Sequence, residues 1–314
     1  MDADKPHCRL MVVLPVGPDN DGAETIQSLF TYCTSSLIVL AVDDSKLLET
    51  RHFLETCDPR VIRLPSAGYP GIRGGLLCSL ARAYQYALAH YDFDVLLRID
   101  TDALITGPAP EEDALALFAG KPKAGMLGPY RVGYDGGRRD FGVVADMLRH
   151  ETGWHGLRRF SRRRRLKAWL SAASALGYEP GEHILGAAIY LRVEALRAMH
   201  AAGDLNVDEF HDSGLSEDHI FSLLTVRHGY MLEDFVTGDL PMGVRWRGLP
   251  DSPRNLLARG KKIVHSIKFY ESMKEPEIRA FFAQERAKHA ASSILNLQER
   301  KNDPDRHSGR WSRA

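Results

Sequence analysis

Leu96-Leu97-Arg98-Ile99-Asp100-Thr101-Asp102-Ala103-Leu104-Ile105 is the stretch on which the reading of this chain turns. Two carboxylates, two residues apart, close the apolar run from Val95 to Ile99, which reads as a buried strand. An unpaired charge is costly to bury. The pair therefore calls for a compensating cation, and a divalent metal holding a phosphate-bearing substrate fits that need. If the strand ran on, both carboxylates would share one face, with Cα atoms about 6.8 Å apart. That is wide for two ligands of a small octahedral ion with metal–oxygen distances of about 2.1 Å. The spacing thus predicts either a bend at this point or direct metal contact by Asp102 alone, with Asp100 working through water or a ribose hydroxyl. A capped strand end with solvated acids has the same letters, so the three residues do not decide by themselves.

Upstream, strands and helices alternate. Arg9–Pro15, Ser36–Val42, Arg60–Leu64 and Val95–Ile99 read as strands, and 24–33, 46–57 and 76–90 as helices. The last helix carries Leu77, Leu80, Ala81, Tyr84 and Leu88 on one side. This order predicts an open, mostly parallel α/β sheet, in which ligands lie beyond the C-terminal strand ends. Three polar clusters fall there: Pro15-Val16-Gly17, Asp43-Asp44-Ser45 and Asp100-Thr101-Asp102. The second half is less regular. Strands are expected at 123–129, 185–193 and 230–234, and helices at 161–177, 194–202 and 218–229; 131–152 resists assignment. The expected division is 1–120, the more regular half; 121–275, a second half of the same globular domain; and 276–314, a charged C-terminal helix and tail.

Composition bounds the rest. Of 314 residues, 41 are Lys or Arg and 41 are Asp or Glu, so net charge points to neither nucleic acid nor membrane. The four cysteines, Cys8, Cys33, Cys57 and Cys78, form no CxxC pair and read as reduced thiols. With no signal-peptide core and no long apolar span, a cytoplasmic protein is expected, at most peripheral at the inner membrane face. The dense basic block Arg158–Lys167 is read as a solvated face, or as a contact for an anionic or lipid-linked partner or a membrane surface.

Taken together, these segments resemble GT-A fold glycosyltransferases, family 2-like. VVLPV resembles the first strand and VLAVDDS the second. Gly71-Ile72-Arg73-Gly74-Gly75 resembles the glycine-rich element before the DxD strand. The resemblance spans about residues 9–270 and rests on the order of five motifs. It implies a Rossmann-like, mostly parallel central sheet flanked by helices, with 1–120 as the nucleotide-sugar-binding half and 121–275 as a less regular acceptor-binding half. It also implies transfer of a hexosyl or related sugar from a nucleotide-diphosphate donor, with Mn²⁺ or Mg²⁺ on Asp102 and Asp100. By the same resemblance Pro15, Val16 and Asp44 meet the nucleobase, and His265 completes the metal shell. In Leu215-Ser216-Glu217-Asp218-His219, Asp218 is then the general base of an inverting transfer and Glu217 positions the acceptor. A base is needed because an alcohol is a weak nucleophile until its proton is taken.

The same residues have plainer readings. Ser216 followed by acids is an ordinary helix N-cap. Arg73 contacts the nucleotide, or is a solvated arginine in a turn before a helix. Arg245-Trp246 neutralises diphosphate and stacks on sugar, or forms a solvated loop, and Lys268 is placed to meet a phosphate. Gly186-Ala187-Ala188 lines the sugar pocket or packs the core. His211 and His219 are weaker alternatives to His265. Two other functions share parts of the pattern. One is a haloacid-dehalogenase-type phosphatase with Asp100 as nucleophile, which Leu104 and the late position of the motif disfavour. The other is a non-catalytic nucleotide-sugar-binding protein of the same fold. A nucleotidyltransferase would want a better phosphate loop than Gly17-Pro18-Asp19-Asn20. No motif supports nucleic-acid binding.

Overall fold

The apolar runs expected as strands form the middle of a seven-stranded sheet. β1 (His7–Val16) lies between β2 (Leu37–Asp43) and β4 (Asp92–Ile99), parallel to both, and β3 (Val61–Pro65) pairs parallel with β2. Beyond β4 come β7 (Ala188–Arg192), β6 (Ala124–Gly128) and β8 (Met231–Asp234), giving the order β3-β2-β1-β4-β7-β6-β8. β7 runs antiparallel to β4 and β6, whereas β6 and β8 are parallel. The computed structural model describes residues 5–18, 22–69, 71–154 and 159–302, with side-chain surroundings to residue 292. The start of the chain, Asp19 and Asn20 of the first loop, Pro70 of the glycine-rich turn, Arg158 of the basic block and the tail from 303 lie outside these residues.

Both faces of the sheet are covered, which explains why its central strands read as continuous apolar runs. Met11, Val13, Leu40, Val42 and Leu96 pack to one side, with Leu80 and Tyr84 of α3 (Gly74–His90), Trp169 of α6 (Phe160–Ser174) and Phe221 of α8 (Glu217–Arg227). Leu10, Val12, Leu14, Val39, Ala41 and Leu97 pack to the other, with Leu29 of α1 (Ala23–Tyr32) and Phe118 of α4 (Pro110–Gly120). The mostly parallel, helix-flanked α/β sheet is therefore as the alternation predicts. Helices α2 (Leu48–Thr56), α5 (Gly142–Thr152), α7 (Val193–Ala201) and α9 (Pro253–Ala258) complete the layers. The sequence pattern does not announce α4, and α5 accounts for the second part of the stretch that resists assignment.

Two departures shape the site. β4 stops at Ile99, and the chain turns at Asp100–Ala103, the Ala103 N–H bonding the Asp100 carbonyl at 3.1 Å. It then enters β5 (Leu104–Ile105), which belongs to a second sheet with β10 (Ile263–His265) and β9 (Met242–Val244). The DxD thus bridges two sheets, and the predicted bend is there. The strand expected from Leu185 begins only at Ala188. Before it, the Leu185 N–H bonds the Pro129 carbonyl and the Gly186 N–H turns to Asp218.

The charged C-terminal helix, α10 (Glu275–Asn302), is docked against the domain. Ile278 and Phe282 are buried, each worth about 1.5–3 kcal/mol of transfer free energy. Arg279 pairs with Glu24 at 3.2 Å and reaches the Thr101 carbonyl at 3.3 Å. Most of the basic block is also committed internally. Arg162 meets Glu151 and Asp212, Arg159 meets Asp212, Arg163 bonds the carbonyls of Thr152 and Gly153, and Arg165 bonds those of Asn206 and Gly203. A run that reads as a solvated face is largely a set of fasteners between α6 and the loops around it. Among the described residues no helix is long and apolar enough to cross a membrane. Cys8, Cys33 and Cys78 are buried thiols, and burial pushes that of Cys8 up to about 12.

Candidate active site

The turn after β4 and the end of β10 bring Asp100, Asp102 and His265 together, with one ligand atom from each lying within 4.8 Å of the others. His265 Nδ1 bonds the Arg245 carbonyl at 2.8 Å. A carbonyl only accepts, so Nδ1 carries the proton and Nε2 presents its lone pair. Nε2 stands 3.2 Å from Asp102 Oδ1. Two ligands at right angles on an ion with bonds of about 2.1 Å would lie about 3 Å apart. Asp102 Oδ2 accepts from the Ser266 hydroxyl at 2.8 Å. Burial opposes its charge, but His265, when doubly protonated, and the Ser266 hydroxyl hold its carboxyl well below the usual range. An imidazole fixed by a carbonyl, beside oriented carboxylates, is a donor set suited to a divalent ion.

A second cluster, His183, Asp218 and His219, has similar spacing but not the chemistry. His183 Nδ1 bonds the Gly181 carbonyl, and its Nε2 lies 2.7 Å from Arg139 Nη2, which can only donate. His219 Nδ1 accepts the Ser216 N–H at 3.1 Å, completing the cap of α8. Both imidazole lone pairs are therefore in use, and Arg139 puts a cation beside them. Burial pushes His183 down to about 4 and lowers His219, and it lowers Arg139 to about 10.

The acids of this end sit at the head of α8, where the helix dipole favours them. Asp218 Oδ2 accepts the Gly186 N–H and Oδ1 the His219 N–H, each at 2.9 Å. Burial works against its charge, yet His219, His183 and the Gly186 N–H hold it below the ordinary carboxylate range. Glu217 differs: burial pushes it up to about 7, against the pull of Arg98. A Cβ at Gly186 would come within 3.3 Å of an oxygen of each acid, so glycine lets the β7 approach close on them.

Arg98, 2% exposed, joins the two ends. Its Nη2 is 2.9 Å from Asp100 Oδ1 and 2.9 Å from Glu217 Oε1. Burial disfavours its charge, and Asp100 and Glu217 more than restore it, raising its pKa.

These groups line one cavity of about 990 Å³. Of the residues singled out by sequence, Asp100, Asp102, His265, Glu217, Asp218, Arg73, Gly186, Arg245 and Trp246 line it. Arg245 and Trp246 are exposed, with Arg247 stacked over the indole at 4.5 Å. Lys268 does not line it and pairs instead with Glu275 at 3.2 Å. Pro15, Val16 and Asp44 also stand apart from the lining. Asp44 receives the Ser66 hydroxyl at 2.9 Å, and its N–H bonds the Val16 carbonyl. Its neighbour Asp43 is bound to Arg63 and Ser45. His211 stacks on Tyr69 at 4.6 Å and is not one of the three clustered residues. Sequence reading missed Arg98, Arg139 and His183 as site residues. For Arg98 a signal exists, a cation inside an apolar strand; the other two come from loops with no pattern to mark them.

No family model matches the chain, and no curated protein matches it. Among solved structures it is similar to the galactosyltransferase LgtC in complex with donor and acceptor sugar analogues. That match has a TM-score of 0.46 and 9% identity and covers 88% of this chain and 95% of that one. It is also similar to WbbM, a bifunctional glycosyltransferase in its apo form, with a TM-score of 0.44 and 10% identity, covering 91% of this chain and 50% of that one.

Proposed function

We propose that the chain is a GT-A-type, metal-dependent glycosyltransferase that moves a hexosyl or related sugar from a nucleoside-diphosphate donor to an acceptor hydroxyl with inversion. The observation that carries this reading is the pairing, in one cavity, of a carboxylate–imidazole cation site at one end with two buried acids at the other. Asp100, Asp102 and His265 would hold Mn²⁺, which suits imidazole better than Mg²⁺ does. The bound ion would offset charge on the departing diphosphate.

The chain's own groups supply the rest. Arg73 and Arg245, both exposed on the cavity wall, flank the phosphates. Trp246 offers an indole face to a sugar. Pro15, Val16 and Asp44 remain assigned to the base, at the ends of β1 and β2. Asp218, held ionised by its donors, takes the acceptor proton as the acceptor oxygen bonds to the anomeric carbon and the bond to diphosphate breaks. Glu217 orients the acceptor beside it. With most of the basic block fastened internally, the acceptor is assigned to the cavity, without recourse to a basic surface.

A panel of nucleoside-diphosphate sugars, screened by thermal shift with and without Mn²⁺, tests this reading, because a ligand of the native state raises apparent stability. A metal-dependent shift for one donor is expected, with nucleoside diphosphate released on adding acceptor and lost in Asp102→Ala. Undiminished turnover in Asp102→Ala would sink the metal role.

A further inference from the structure

We propose that Arg98 is a positioning residue that makes the cation site and the acceptor-side acids one unit, so that the Glu217 carboxylate, though not a ligand, helps set how tightly Asp100 takes a divalent ion. The inference rests on the reading of Asp100, Asp102 and His265 as a metal site.

A single nitrogen carries the link: Nη2 lies 2.9 Å from an oxygen of each carboxylate. An arginine that serves one carboxylate does so best with two parallel donors. Arg98 does not. Its Nε and Nη1 are buried with no hydrogen-bond partner, a costly state for donors shut away from water. The side chain thus forgoes a fork to either acid and places one nitrogen between both, hydrogen-bonded to Glu217 and ion-paired with Asp100. The joint is rigid, because Arg98 sits on the central strand β4 and the Asp100 N–H is itself bonded to the Ala187 carbonyl at 2.7 Å.

A donor on the outer oxygen of a ligating carboxylate orients it and tunes its strength as a ligand. With Glu217 present, Arg98 is held where its Nη2 meets Asp100. Without it, that hold is lost and Asp100 is less well oriented as a ligand. Coupling between sites is reciprocal. An ion on Asp100 therefore fixes Arg98 and, through it, Glu217 for the acceptor, so that loading of one end readies the other.

Titration of the full-length protein with Mn²⁺, followed by the electron paramagnetic resonance of the free ion, tests this without turnover. Glu217→Gln is expected to weaken Mn²⁺ binding about fivefold. Arg98→Met is expected to weaken it about tenfold, and adding Glu217→Gln to that background is expected to change it less than about twofold. An attraction acting only through space would keep its full factor, or gain, once Arg98 is gone; that result overturns the proposal. Should Arg98→Met fail to fold, Arg98→Lys takes its place, since an ammonium keeps the charge without the planar donor, and the cycle is read in the same way. A wild-type protein that binds Mn²⁺ while Glu217→Gln changes nothing overturns the coupling alone. A wild-type protein that binds no Mn²⁺ overturns the metal site with it.

Discussion

His265 Nε2 faces Asp102 Oδ1 across 3.2 Å while its other ring nitrogen is fastened to the Arg245 carbonyl. The proton is thereby kept on the nitrogen turned away from the cluster, and the lone pair is free. His265→Ala should reduce Mn²⁺ affinity at least about tenfold, measured by calorimetry. His265→Asp should shift the preference from Mn²⁺ toward Mg²⁺, because an all-oxygen set suits the harder ion.

Asp218 and Glu217 should separate kinetically. Asp218→Asn removes the assigned proton acceptor and should lower kcat by about 10²–10⁴ with little change in donor KM. Glu217→Gln should raise acceptor KM and lower kcat less. Equal losses in both variants, or none, would reverse or remove the assignment.

Glu217 also leaves a mark on stability. Its pKa is raised from 4.5 to about 7. Between those values the folded protein holds a proton that the unfolded chain has released, so stability falls as pH rises through that window. Glu217→Gln abolishes the term. Thermal melts at pH 5 and pH 8 should therefore show the variant gaining on the wild type at the higher pH.

Trp246 is 68% exposed beside the cavity. Trp246→Ala should change folding stability by no more than about 0.5 kcal/mol, while KM for the donor or the acceptor rises. A fall in melting temperature with unchanged KM would make the indole a structural group.

Gly74 opens α3, where an added Cβ would lie 2.0 Å from the Phe210 carbonyl oxygen. Because that neighbour is backbone, Gly74→Ala should cost about 1–3 kcal/mol in chemical denaturation and displace Arg73, which precedes it.

The sheet was legible because its strands are long, apolar and separated by helices of ordinary length; Met11 and Val12 report opposite faces through simple alternation. The second sheet was not, since β5, β9 and β10 span only two or three residues each, too few for any period. The DxD and the Glu217-Asp218 pair were readable as local patterns. Arg139 and His183 were not, because they matter through loops that converge only after the chain has folded. The basic block misled for a related reason: a run of arginines looks the same whether its partners are water or distant acids such as Glu151, Asp212 and Glu209.

Arg279 of α10, by its bond to the Thr101 carbonyl, grips the peptide between the two aspartates of the motif. A segment far along the chain is thus a keystone for the turn. Shortening the protein ahead of Arg279 would leave Asp100 and Asp102 in the sequence but slacken the arch that aims them, so a chain trimmed to the sheet alone should keep the letters of the site and lose its grip on the ion.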